Sequence, residues 1–429
     1  MELWILFGTF FVFIAFGVPI AFALGIAAAA TMLYDALPLM LVVQRIASGI
    51  TVFSLLAIPF FIFAGELMLF GGIAERLVRF AGALVGHIRG GLGVVNVLAS
   101  MLFGGISGSA VADVSALGSI MIPLMKKKGY DTDYAVNVTI TASTTGILIP
   151  PSHNMIIYSL AAGGGVSVTA LFMAGIVPGV LTGLCLMVAA YAVAVKRGYP
   201  REAFPGWRAV LISFLSAFPG LFATVIIIGG TLSGVFTVTE SAAIGAIYAL
   251  LVTVFVYRSL SRKDFWTAAV NATKTTAMVM LLIGTASAFG YLLALHQVPA
   301  KTIELMHGIS SNPIVILLII NVILLILGCI MDMAGLILIC TPIFLPVVKS
   351  IGMDPVQFGM LMMLNLGTGL CTPPVGTCLF VGCSIGKIRI EQTVKTIWPF
   401  YLAMFVALMF VTYVPAVSLA VPHWLLGGG

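Results

Sequence analysis

Two segments of this sequence combine small polar residues, glycine and paired prolines in a pattern that frees backbone oxygens for a ligand. One is Thr144-Thr145-Gly146-Ile147-Leu148-Ile149-Pro150-Pro151, and the other is Gly367-Thr368-Gly369-Leu370-Cys371-Thr372-Pro373-Pro374. Neither can continue a regular helix, because proline lacks an amide donor and disfavours helical geometry at the residue before it. Carbonyls released at such a break suit a hard cation such as Na⁺, and released amides suit an anion. His153 and Asn154 follow the first break, and Thr377 follows the second. Asn154, Thr372 and Thr377 can donate hydrogen bonds to an oxygen-rich solute. His153 could touch that solute or carry a proton, and a satisfied structural histidine is an equal alternative.

A second set of oxygens lies in two glycine-rich stretches. Ser107, Ser109, Asp113 and Ser115 stand among Gly104, Gly105 and Gly108, and Asp332 stands between Gly328 and Gly335. A carboxylate in such apolar surroundings is costly, which makes Asp113 and Asp332 functional candidates, with bonding to local amides as the structural alternative. Ser107 and Ser109 can equally bond their own helix backbone. The expected cation set is Ser107, Ser109, Thr145, Gly146, Asp332, Gly335, Thr368 and Gly369. The expected solute set is Ser107, Ser109, Asp113, His153, Asn154, Thr372 and Thr377. No arginine lies in these segments. An anion there would be held by hydroxyls, amides, helix ends and bound cations. Glu66 and Glu240 read as either buried partners or helix-terminal residues.

The elements that position these groups must lie in a membrane. Of 429 residues, 61% are hydrophobic and 8% are charged, against roughly a quarter charged in an average soluble domain. Stretches such as Leu3 to Tyr34, Phe53 to Leu69, Val168 to Val195, Ala209 to Ile228 and Val394 to Val421 approach or exceed the ~20 apolar residues of a spanning helix. They are apolar all round rather than alternating, so the expected fold is an all-α polytopic membrane bundle. The first stretch reads as a span, not a cleavable leader. No phosphate-binding loop, HExxH or calcium loop is present, which argues against ATP as the direct energy source. The six cysteines lack CxxC spacing and read as packing residues. A net charge of +6 could suggest nucleic acid, but the basic residues sit in short loops, where membrane orientation accounts for them.

Sliding the chain along itself pairs Pro123, Lys126, Gly129 and Asp131 with Pro346, Lys349, Gly352 and Asp354, an offset of 223. The same register pairs Thr145, Gly146, Pro150 and Pro151 with Thr368, Gly369, Pro373 and Pro374, and Asn154 with Thr377. Seven of the 11 identities between Gly104 and Gly163 are glycine or proline, residues that set backbone shape. Basic loops orient the copies. Arg76, Arg79 and Arg89 precede Gly90 to Met125, and Lys126 to Lys128 follow it, so that stretch must enter and return as a hairpin with its tip near Ser107 to Ser109. The later counterpart, Pro313 to Val348, ends in a loop holding only Lys349 and Asp354, as an outward-facing copy would. The expected architecture is therefore an inverted repeat with two re-entrant hairpins and two broken helices. Its parts are first-half scaffold at 1–89, a transport element at 90–166, scaffold and connecting helices at 167–312, a second transport element at 313–392 and a C-terminal scaffold helix at 393–429.

The ordered motifs Gly17-Val18-Pro19-Ile20-Ala21, Leu56-Ala57-Ile58-Pro59-Phe60-Phe61, Gly86-His87-Ile88-Arg89-Gly90-Gly91, Ser107-Gly108-Ser109-Ala110, Gly146 to Ser152, Phe236-Thr237-Val238-Thr239-Glu240 and Thr372-Pro373-Pro374-Val375-Gly376 resemble the DctM-type large membrane subunit of tripartite ATP-independent periplasmic (TRAP) transporters. The resemblance covers essentially the whole chain. It implies a bacterial inner-membrane elevator transporter, driven by Na⁺ and without another cofactor. It also implies a periplasmic solute-binding protein, a small four-helix membrane subunit, and an organic acid as solute, either a sugar acid such as sialic acid or a dicarboxylate. A self-sufficient divalent-anion/Na⁺ symporter is the alternative within transporters. An ion channel would need a continuous polar pore, and a membrane enzyme would need a nucleophile–base pair or metal constellation.

Overall fold

The computed structural model describes residues 1–427, and no strand occurs among them. Six helices are long and apolar enough to cross a membrane: Phe53–Phe70, Val168–Lys196, Trp207–Leu232, Val238–Val256, Arg262–Leu295 and Met333–Ser350. Two bent pairs, Val298–Ile309 with Pro313–Gly328 and Trp398–Tyr413 with Pro415–Leu426, add up to two more. Two continuous apolar stretches are subdivided. Leu3 to Tyr34 separates into Glu2–Ala15 and Ile20–Tyr34, because Gly17 adopts φ +78° and Pro19 cannot donate into the preceding turn. The terminal segment expected as one helix at 393–429, whose last two residues lie outside the described ones, begins in the short helix Ile390–Val394, resumes as Trp398–Tyr413 and divides again at Val414, where Pro415 starts a new helix inclined by 59°.

The helices form a hairpin-containing half and a framework around it. The first hairpin is Gly91–Ser107 and Ala110–Lys127. Its turn is made by Gly108 in the left-handed region at φ +61°, and Ser109 then accepts a hydrogen bond from the Ala112 amide as the cap of the returning arm. The second hairpin is Pro313–Gly328 and Met333–Ser350, with Asp332 capping the returning arm. Each hairpin packs on a broken segment. The first runs Thr132–Ala142, Thr145–Leu148 and His153–Ala161. The second runs Pro355–Leu370 and Thr377–Gly386. Both proline pairs are cis.

Buried amides tie each hairpin to its broken segment. Asn96 donates to Thr139 Oγ1 at 2.7 Å in the first, and Asn365 donates to Asn321 Oδ1 at 2.8 Å in the second. Asn321 in turn donates to Thr412 on the terminal helices. Backbones also meet directly at glycines. A Cβ on Gly104 would overlap Gly146, and one on Gly369 would overlap Gly328. Two pairs of positions 223 residues apart share a positive φ: Gly129 and Gly352 at +83° and +84°, and Gly164 and Lys387 at +74° and +54°.

Around these pieces, Arg262–Leu295 packs on Ile20–Tyr34, Met40–Ile50 and Ala57–Phe70, while Val238–Leu251 packs on Ala57–Phe70 and Trp207–Leu232. The exposed apolar side chains of Trp207–Leu232, including Leu211, Ile212, Leu215 and Val225, suit hydrocarbon rather than water.

Candidate functional site

The tip of the first hairpin is built around Asp113. Its side chain is fully buried; Oδ1 accepts a hydrogen bond from the Ser107 hydroxyl. The Ser109 amide donates back to Ser107 Oγ at 3.3 Å, so serine and aspartate lock the turn across Gly108. Oδ2 of Asp113 has no hydrogen-bond partner within the described residues. It faces Gly146 so closely that a Cβ on that glycine would collide with it. A buried carboxylate oxygen without a partner is strongly disfavoured, and a cation, a proton or an ordered water would each satisfy it.

Asp332 sits differently. One oxygen accepts from the Ala334 amide at 3.1 Å, as a helix cap does, and the side chain is exposed to a cavity. Structural and ligand-facing readings of this residue therefore coexist in one carboxylate. The loop of the second break is fastened to the second turn by the Val375 amide, which donates to the Cys329 carbonyl at 3.1 Å.

Between the hairpins and the framework lies a cavity of about 630 Å³, within the range of small-molecule sites. From the hairpins and broken segments it takes Ser107, Ser109, His153, Asn154 and Asp332, and from the framework it takes Glu66, Asn271 and Thr275. Asn271 donates to Glu66 Oε2 at 3.2 Å, joining two framework helices across the wall. Among the described residues no arginine or lysine lines this space, and both its lining carboxylates are without a cationic neighbour there.

The other expected residues lie outside that lining. Asp113, placed with the solute set, is buried behind the first tip, because its carboxylate turns inward to Ser107 and Gly146. Thr145 and Gly146 form the short buried helix at the first break, and the Thr145 hydroxyl bonds the Ala142 carbonyl. Thr368 and Thr372 bond Leu364 and Thr368 carbonyls, and Gly369 packs on Gly328. Thr377 Oγ1 is buried without a hydrogen-bond partner among the described residues. Gly335 faces Ile20 on the framework instead of the cavity. Glu240 is helix-terminal: with Thr237 it forms a reciprocal capping box. Sequence reading missed Asn271 and Thr275. Two polar side chains at positions 271 and 275 are one turn apart on a helix, a signal for a shared face, but nothing in that spacing tells which wall the face joins.

The sequence profile described as "Tripartite ATP-independent periplasmic transporter, DctM component" matches residues 7–417. The chain is 43% identical to the C4-dicarboxylate TRAP transporter large permease protein DctM of Pseudomonas aeruginosa, covering 87% of each chain. It is 39% identical to the sialic acid TRAP transporter large permease protein SiaM of Vibrio cholerae over 96% of each. It is 40% identical to the isethionate TRAP transporter permease protein DctMQ of Oleidesulfovibrio alaskensis, over 97% of this chain and 65% of that longer one. In fold, it superposes on the YdaH transporter of Alcanivorax borkumensis with a TM-score of 0.64 at 15% identity, covering 90% of this chain and 88% of that one. The chain therefore belongs to the DctM component family of tripartite ATP-independent periplasmic transporters, as a multi-pass inner-membrane permease and not an enzyme.

Proposed function

We propose that this permease carries out Na⁺-coupled uptake of a carboxylated organic solute delivered by a periplasmic binding protein, with a small four-helix membrane subunit as partner. The observation that carries the reading is the cavity between the two hairpin turns and the framework, lined by Asp332 and Glu66 and, among the described residues, by no arginine or lysine. An anion entering such a space needs cations to offset the carboxylates. Na⁺ at the first tip fits the unpartnered Asp113 Oδ2, with Ser107 and the Gly146 segment beside it. Asp332, Thr368, Gly369 and the second turn supply the corresponding ion contacts in the other half. The solute then spans Ser107, Ser109, His153 and Asn154, which share the cavity, with Thr372 and Thr377 completing its surroundings on binding.

In this reading the 223-residue interval is an inverted repeat, and both hairpins with both broken segments move as one body against the framework. The amide ties and glycine contacts within that body support its rigidity. The framework wall of the cavity includes Leu69 and Asn271, close to the helix ends that lead to Arg76 and from Arg262. That placement supports an inward-facing state. Relatives named for C4-dicarboxylate, sialic acid and isethionate all handle organic anions, and a sugar acid such as sialic acid is the proposed solute class.

Proteoliposomes containing the permease, its small subunit and the binding protein test the coupling. Uptake of labelled sugar acid should require both a Na⁺ gradient and the binding protein. Equal uptake without Na⁺ would overturn the coupling, and equal uptake by the purified chain alone would favour a self-sufficient symporter.

A further inference from the structure

A second cleft, of about 780 Å³, lies away from the central cavity, between the loop that leads into the first hairpin and the turn that follows Val168–Lys196. His87, Arg89, Tyr191, Tyr199 and Arg201 line it, and among the described residues no carboxylate does. The acids nearby are already engaged. Glu202 pairs with Lys128 at 2.9 Å, and Asp131 and Asp133 pair with Arg197 at 2.9 and 2.7 Å. Tyr199 donates its hydroxyl to Asp131, and burial together with that bond pushes it up to about 12, so it contributes a neutral wall. Arg201 uses Nε to bond the His87 carbonyl at 3.0 Å. Among the described residues its terminal amino groups and the whole of the exposed Arg89 guanidinium have no hydrogen bond or ion pair, and His87 Nδ1 is buried without a partner.

The apolar surroundings continue from this basic cleft in one direction. Val180, Leu184, Val188, Tyr191 and Val195 are all exposed on Val168–Lys196, at steps of three or four residues that place them on one face. That face extends roughly 22 Å, more than the roughly 15 Å of one leaflet's hydrocarbon. Phe204 and the largely exposed Trp207 stand beside the basic end, with Phe204 edge-on to the His87 ring. Two guanidiniums over an aromatic belt and an apolar stripe match a phosphate joined to acyl chains. The basic loops place this end at the cytoplasmic leaflet, where anionic lipids reside.

We propose that this cleft binds one anionic glycerophospholipid, with its phosphate between Arg89 and Arg201 and an acyl chain along the Val180 to Val195 stripe. The lipid would then join two segments that already touch. The Gly90 amide donates to the Pro200 carbonyl at 3.0 Å, and a side chain at Gly90 would collide with Ala194. Occupancy would therefore hold the start of the first hairpin against Val168–Lys196.

Native mass spectrometry of the intact permease with its small subunit, supplied with phosphatidylglycerol, phosphatidylcholine or inorganic phosphate, tests this. Phosphatidylglycerol should be retained in preference to phosphatidylcholine, and inorganic phosphate should not compete for it. Arg89→Gln breaks no bond within the protein and should weaken retention about fivefold, and the Arg89→Gln/Arg201→Gln pair about thirtyfold. Leu184→Asp, on the stripe, should also weaken it, whereas Arg262→Gln, a cytoplasmic arginine elsewhere, should not. Equal retention of both lipids, retention unchanged in Arg89→Gln, displacement by inorganic phosphate, or a stripe protected by the small subunit with no lipid retained would each overturn the proposal.

Discussion

Asp113 brings a carboxylate into a fully buried position with one oxygen held by Ser107 and the other unpartnered opposite Gly146. Asp113→Asn keeps the shape and the Ser107 contact but removes the charge. A charged hydrogen-bonding group is worth more than a neutral one, so the half-saturating Na⁺ concentration for uptake should rise roughly tenfold or more. An unchanged Na⁺ curve would remove Asp113 from the ion site. Asp332 separates two roles by substitution. Asp332→Asn retains a capping acceptor and should unfold at the parental temperature while losing transport; Asp332→Ala should in addition lose about 1 kcal/mol of stability. Equal transport by parent and Asp332→Asn would leave that residue a cap alone. Both carboxylates stood out in the sequence, because acid in an apolar segment is costly wherever the chain folds. Which of them faces the cavity did not, since a hairpin turn can aim its side chains toward either partner.

At the scale of elements, glycine decides how closely the pieces approach. Gly104 meets Gly146 and Gly328 meets Gly369, one contact between hairpin and broken segment in each half. Gly146→Ala would push into both Gly104 and Asp113 and should cost about 1–3 kcal/mol, read as a lower unfolding temperature in detergent together with lost uptake. Asn365 donates twice to Asn321, at 2.9 Å to the carbonyl and 2.8 Å to the side chain. Asn365→Leu leaves Asn321 Oδ1 buried and unpaired, while the Asn321 carbonyl keeps its bond within the helix, and should destabilise by about 1–3 kcal/mol; parental stability would show that water takes the amide's place. Helix ends at the proline pairs and at Gly108 were legible, because they follow from missing amides and permitted dihedrals. Two positions 223 residues apart nevertheless serve different purposes. Asp354 caps its helix through the Val356 amide at 2.7 Å, whereas Asp131 is drawn away to Arg197 and Tyr199. A neighbour far along the chain overrides the local preference.

For the whole molecule, the elevator reading requires the second hairpin to slide past the framework at the contact between Gly335 and Ile20, where a Cβ on the glycine would lie 3.1 Å from the isoleucine side chain. Cysteines at Gly335 and Ile20, in a background lacking the six native cysteines, are close enough to join. Oxidation should abolish uptake and reduction should restore it. Full uptake by the crosslinked protein would exclude sliding at that surface. The composition by itself determined a helical membrane bundle, since backbone groups in hydrocarbon must be satisfied within the element, and the glycine–proline interval determined where helices break. Tertiary structure alone decided that Asp332, His153 and Asn154 share a cavity with Glu66 and Asn271 while Asp113 is enclosed behind it. Spacing along a helix gives the face a residue occupies, but the partner across that face is set by packing between segments as far apart as 66 and 271.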